Sequence, residues 1–206
     1  KLLFSSLEKR FNKVLYVWCR WEPFLFKPLI KLWKRRQGKQ NKKENEDDYK
    51  ILKSKKTTLL KNPIFRWSWF LIFVTEYGLQ VFFKIRLKKF KKRIIISDRY
   101  FYDSFVDQVI NFNLSEEKIL KLLDNFWIRK VFPEPDLVIY IDCPEEIAIK
   151  RKEDVFSLDY LKDRRKIYLK IVDLKGYCKV DGALQIEEVR KNIEEIVNEK
   201  LSEILQ

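Results

Sequence analysis

The stretch Ile94-Ile95-Ile96-Ser97-Asp98-Arg99-Tyr100, followed by Ser104 and Gln108, decides the fold. A short β-branched run ends abruptly in an acid, a base and an aromatic. A buried parallel strand delivers charged groups in this way to the carboxyl edge of a sheet, where α/β proteins bind ligands. An Asp there can hold Mg²⁺ directly or through water, and an Arg beside it can grip a phosphate with two hydrogen bonds. A strand that merely ends in a surface ion pair has the same local pattern. The downstream spacing favours the ligand-binding reading.

Outward from this strand, helix and strand patterns alternate. Residues 1–11 carry apolar side chains at 2, 3, 4, 7 and 11, which is helical spacing. Residues 14–19 (VLYVWC) form a buried-strand run that ends at Arg20, Trp21, Glu22 and Pro23. A short helix is expected over 24–33, then a lysine-rich insert. Residues 67–85 are apolar enough to suggest a membrane span by length. Glu76, Gly78 and Gln80 argue against one, and so does the position directly before the 94–100 strand, so a long helix packed on the sheet is predicted. Ser115 is a candidate N-cap, with Glu116 and Glu117 in the first turn of a helix running to 131, where Pro133 and Pro135 follow. Further strands are predicted at 137–142 and 177–180, and further helices at 145–153, 160–172 and 186–205. The alternation implies an α/β fold, a doubly wound parallel sheet flanked by helices. Residues 1–206 read as a single domain, with 34–62 as a flexible insert within it.

Net charge is +14, from 44 basic and 30 acidic residues, which attracts polyanions without choosing among them. The insert lacks interleaved aromatics apart from Tyr49, so neither nucleic acid nor membrane is expected as a partner. With no histidine, His-based acid–base catalysis and His–metal sites are excluded. Cys19, Cys143 and Cys178 have no paired spacing and read as reduced thiols of a cytoplasmic protein. The first residues are amphipathic and charged, unlike a signal peptide.

Three blocks carry a family resemblance. DRYFYDSFVDQ (98–108) resembles the D-R-Y-x-x-S-S-x-A-Y-Q segment of thymidylate kinases, with Asp98, Arg99, Tyr100, Ser104 and Gln108 in register and Val106 and Asp107 departing from it. Pro135 to Asp142, continuing through Pro144 and Glu145 to Arg151, is similar to the family's fourth strand and following helix. Val180, Asp181, Gly182 and Ala183, then Ile186 to Val189, resemble its "V-I-D-A…I-E-E-V". The blocks fall in family order.

The resemblance implies ATP-dependent phosphorylation of a nucleoside monophosphate, dTMP first, on a P-loop kinase fold with ATP and Mg²⁺. Asp98 would help hold the metal, Arg99 would bind the acceptor phosphate, and Arg20 would be a second contact, with Trp21 intruding into the family's "R-E-P" loop. Phe73 would stack on the acceptor base, Ser104 and Gln108 would hydrogen-bond it, and Tyr100 belongs to the same substrate-binding set. Arg151 would approach the transferring phosphate or the ATP purine, with Gly182 and Ala183 near the adenine and Arg164 and Arg165 flanking the lid. Tyr77 stands where the family has a base-contacting Arg, and a phenol offers one donor where a guanidinium offers a fork. Homodimers are common in the family, and the aromatic face of 67–83 serves either that contact or the core.

A P-loop needs G-x-x-x-x-G-K-S/T, because backbone N–H groups must wrap a phosphate. Gly38, Gly78, Gly176 and Gly182 form no such motif, and residues 1–3 resemble the helix that follows it. The chain has no methionine, so the first strand and phosphate loop are expected upstream of Lys1. Two other readings stay open: a related phosphotransferase acting on another small acceptor, or a non-catalytic basic scaffold for nucleic acid or anionic surfaces.

Overall fold

The computed structural model describes residues 2–11, 13–28, 31, 62–89, 94–151 and 158–205. The chain forms two compact units, residues 16–133 and residues 1–15 with 134–206.

The first unit is built on β1 (Val14–Trp18, which begins in the other unit) paired with β2 (Ile94–Asp98). The Cys19 N–H donates to the Asp98 carbonyl at 3.1 Å, so the carboxyl ends of the two strands lie side by side. The long apolar helix is α2 (Pro63–Val81), started by the Asn62 side chain, which accepts from the N–H groups of Ile64 and Phe65. Pro63 sits in its first turn, where its missing N–H removes no helical bond. It continues through a π-helical turn, Phe82–Arg86. One face buries Phe73, Glu76, Tyr77 and Val81, while Ile64, Trp67, Leu71 and Phe83 are exposed on α2 and the turn after it.

Next comes α3 (Phe101–Phe112), with Phe101, Ser104, Phe105, Gln108 and Val109 buried at helical spacing. Asn113 closes α3 in the left-handed conformation at φ +48°. The single helix expected over 115–131 is in fact two, α4 (Glu116–Leu123) and α5 (Phe126–Val131). The break has a physical cause at Asn125, whose side chain accepts from the N–H groups of Trp127 at 3.0 Å and Ile128 at 3.3 Å and so restarts the helix. Phe132 after α5 seals the core, stacked on Phe101 at 4.4 Å and tilted against Tyr77 at 5.2 Å.

The second unit pairs β3 (Ile139–Asp142) with β4 (Cys178–Asp181) in parallel, from Ile139 opposite Cys178 to Asp142 opposite Asp181. The crossover carries α6 (Glu145–Arg151) and α7 (Leu158–Lys175), a βαβ connection. α8 (Ile186–Leu205) follows β4 and packs with α1 (Leu2–Arg10), where an Arg10 guanidinium N–H donates to Asn198 at 2.5 Å. Leu7, Ile171, Val172, Val180 and Val197 are buried in this unit.

The expected doubly wound sheet is represented among the described residues by these two strand pairs. Residues 34–61 of the expected insert, residues 29, 30, 32 and 33 of the expected 24–33 helix and residues 152–157 lie outside the described residues. No helix among the described residues is long and apolar enough to cross a membrane.

Asn125→Ala removes the cap that separates α4 from α5, and a stability loss of about 1 kcal/mol is expected in denaturant unfolding.

Candidate active site

In the first unit the polar groups collect where β1 and β2 end. Asp98 is exposed at the tip of β2, and one carboxylate oxygen accepts the Tyr16 hydroxyl at 2.6 Å. That bond, with burial and the carboxylate charge, pushes the Tyr16 phenol above its ordinary value. Arg99, the next residue, stands at φ +67°. A side chain other than glycine is strained there by about 1–3 kcal/mol, and such strain clusters at functional sites. The turn is held by the Ser97 hydroxyl, which donates to the Arg99 carbonyl at 2.7 Å. The exposed guanidinium reaches Asp103 one helical turn on, at 2.5 Å. Tyr100 tucks under this turn and donates to the Pro133 carbonyl at 2.8 Å, and burial drives its phenol well above the usual range.

Phe73 and Ser104 each meet Trp21, and Gln108 meets Trp69. Phe73, Ser104 and Gln108 are 0%, 3% and 2% exposed. Trp21 meets Phe73 edge-on at 5.2 Å, and its main-chain N–H donates to the Ser104 hydroxyl at 3.3 Å. The Trp69 indole N–H donates to Gln108 Oε1 at 3.1 Å. Tyr77, fully buried, donates to the Cys19 carbonyl at 2.5 Å, and burial raises its phenol far beyond the titratable range. Burial likewise pushes the Cys19 thiol up. Arg20 is exposed, directly after this anchored residue.

Sequence reasoning missed the residue that organises the segment after β1. Glu76 is fully buried on α2. Its Oε1 accepts from the N–H groups of Phe24 at 3.1 Å and Phe26 at 2.8 Å, and its Oε2 accepts from the Trp21 indole at 3.3 Å. Gln80, one turn later, donates to the Glu22 carbonyl at 2.6 Å. A lone acid inside an apolar run was the available signal, because a buried carboxylate must find donors.

In the second unit Arg151 ends α6 and donates to the carbonyls of Gly182 at 2.6 Å, Ala183 at 3.0 Å and Leu184 at 3.4 Å. The Asp181 carboxylate accepts from the Ala183 N–H at 2.8 Å. The turn after β4 is therefore shaped from both sides. Gly182 is required there: a Cβ would lie 2.9 Å from Ile141 Cγ2 and 3.0 Å from the Asp142 carbonyl oxygen. Arg165 grips both Asp142 oxygens, at 2.7 and 3.1 Å, and Glu145 at 3.0 Å, which holds its charge more firmly still. Arg164 is buried between Tyr160 and Tyr168 and donates to the Tyr168 hydroxyl at 3.1 Å. Tyr140 stacks on Tyr168 at 5.2 Å, and burial next to Asp142 pushes its phenol up to about 12.

Among the described residues no group of three or more metal-ligating side chains exists. A single exposed carboxylate such as Asp98 suits Mg²⁺, which keeps several waters and is shared with nucleotide phosphates.

Strands that end in acids, with arginine and glycine in the turns that follow, define an α/β protein whose polar chemistry lies at the strand ends. A family model for thymidylate kinase matches residues 71–193, and the chain belongs to the thymidylate kinase family. Membership carries the P-loop kinase α/β fold. A probable thymidylate kinase of Sulfolobus acidocaldarius is 34% identical over 151 residues, 69% of this chain and 67% of the relative. A thymidylate kinase of Francisella tularensis subsp. holarctica is 32% identical over 108 residues, 48% of this chain and 50% of the relative. A probable thymidylate kinase of Methanosphaera stadtmanae is 37% identical over 101 residues, 47% and 48% of the two chains. The chain thus spans about half the length of most of the curated relatives it matches.

Two outcomes follow from the second unit. Gly182→Ala forces a methyl group into strand β3, and a loss of about 1–3 kcal/mol is expected in denaturant melts. Tyr140 titrates higher folded than unfolded, so its share of stability is complete below pH 10 and declines as pH rises toward about 12. Alkaline unfolding curves of Tyr140→Phe are expected to fall less steeply through that window.

Proposed function

We propose that this protein transfers the γ-phosphoryl group of ATP to a nucleoside monophosphate, with dTMP as the first candidate, giving ADP and dTDP. The observation that carries the reading is the strained Asp98–Arg99 turn at the end of β2, in a chain of the thymidylate kinase family. Phosphoryl transfer asks little covalent chemistry of a protein, and positioning with charge neutralisation does most of the work.

In this reading Asp98 would hold Mg²⁺ through water, and the bound ion would supply charge neutralisation to the transferring phosphate. Arg99 binds the acceptor phosphate. Its left-handed backbone turns the chain sharply at the strand end, and Asp103 holds the guanidinium there. Arg20 supplies a second cation at the end of β1. Phe73, Ser104 and Gln108 form the base subsite, with Tyr100 bracing the turn beneath it. Arg151, Gly182 and Ala183 serve the ATP side, where the three carbonyl contacts of Arg151 support a role in shaping the adenine turn.

A second reading keeps the chemistry and moves the acceptor. Tyr77 supports it, because its hydroxyl is committed to Cys19 rather than offered to a base.

The test is ADP release from ATP–Mg²⁺ by the full-length protein against a panel of nucleoside monophosphates. Turnover with dTMP is expected. Turnover only with another acceptor moves the substrate, and none with any acceptor removes the kinase reading. Asp98→Asn is expected to lower kcat about a hundredfold or more with little change in acceptor KM, because charge neutralisation acts in the transition state.

A further inference from the structure

The base subsite proposed above is covered by the chain's own tryptophans. Trp21 lies edge-on against Phe73 at 5.2 Å and against Trp69 at 6.0 Å, both at 84°. Its main-chain N–H engages the Ser104 hydroxyl, and Trp69 engages Gln108. The aromatic plate and both polar groups that would read a base therefore already have partners. An indole is a flat aromatic ring carrying one N–H donor, so it can compete with a nucleobase for the same aromatic partner.

Trp21 is the member of this cluster able to yield. Residues 19–24 have no regular secondary structure, and Trp21 is half-buried where Phe73 and Tyr77 are fully buried. Its two hydrogen bonds are long, both 3.3 Å, against 2.5 Å for the Tyr77 anchor. When the indole leaves, Glu76 keeps the N–H donors of Phe24 and Phe26, so no buried carboxylate is left without a partner.

We propose that Trp21 is an acceptor gate: its indole holds the base subsite closed, and a nucleoside monophosphate binds by displacing it. The inference rests on the acceptor-site reading above. It makes Trp21 a specificity-determining residue. An acceptor must carry a ring able to replace the indole against Phe73 and an oxygen able to accept from the Ser104 hydroxyl, whose own oxygen keeps the Trp21 main-chain N–H, and the fraction of open protein sets the apparent affinity.

The experiment is calorimetric titration of dTMP into the full-length protein and into Trp21→Ala and Trp21→Phe, with KM for dTMP and for ATP measured on each. Removing the competing indole is expected to tighten dTMP binding and lower its KM about tenfold in Trp21→Ala, with ATP KM unchanged. Trp21→Phe, which keeps a ring in place if the alanine variant does not fold, is expected to shift in the same direction by a smaller factor. Unchanged or weaker dTMP binding in the folded variants, with turnover retained, overturns the gate and leaves the kinase reading standing. A rise in both KM values also overturns it, because that marks a packing role. No dTMP binding by any of the three proteins overturns the gate, and the wild-type acceptor panel then decides separately whether the kinase reading falls with it.

Discussion

A carboxylate without access to water sits in the middle of the long apolar helix α2. Burying Glu76 is tolerable because the main-chain N–H groups of Phe24 and Phe26 converge on it, with the Trp21 indole as a third, longer contact from the same segment after β1. That requirement runs in both directions. The helix cannot pack unless the segment comes to it, and the segment has no ladder of its own to satisfy its N–H groups. Tyr77 adds a second tie one residue on, and Gln80 a third one turn later. Together they fix where β1 ends, hence the course of the main chain through Arg20 and Trp21.

The second unit solves the same problem with opposite charge. Arg151 and Arg165 are long cations whose forks are filled by the ends of β3 and β4 and by the start of α6. Arg165 binds Asp142 through two nitrogens, a geometry lysine cannot reproduce. Gly182 lets β4 end hard against β3, so the carbonyls that Arg151 needs lie within reach. Strand ends here are shaped by arginine, whereas in the first unit they are shaped by a glutamate.

Much of this was legible in the sequence. The Ile94–Ser97 run into Asp98 and Arg99 is a strand that ends at its acid, as its pattern predicts. The helix expected over 115–131 was misread because its apolar pattern runs through Asn125 without interruption. An asparagine side chain bonding its own backbone outweighs periodicity at that point. The role of Trp21 was not legible either. It read as an intrusion into a loop, and nothing local says that it lies over Phe73, more than fifty residues away in the chain.

By itself the sequence determined what depends on neighbours within a turn or a strand: the alternation of elements, and the acid and base at the tip of β2. Those properties follow from short-range sterics and hydrogen bonding, which a local pattern records. Tertiary structure alone decided the long-range pairings: Glu76 with residues 21–26, Tyr77 with Cys19, Arg165 with Asp142, and the tryptophans over Phe73 and Gln108. Which buried polar group meets which partner is set by how the elements pack. A donor or acceptor shut away from water takes whatever complement packing places beside it.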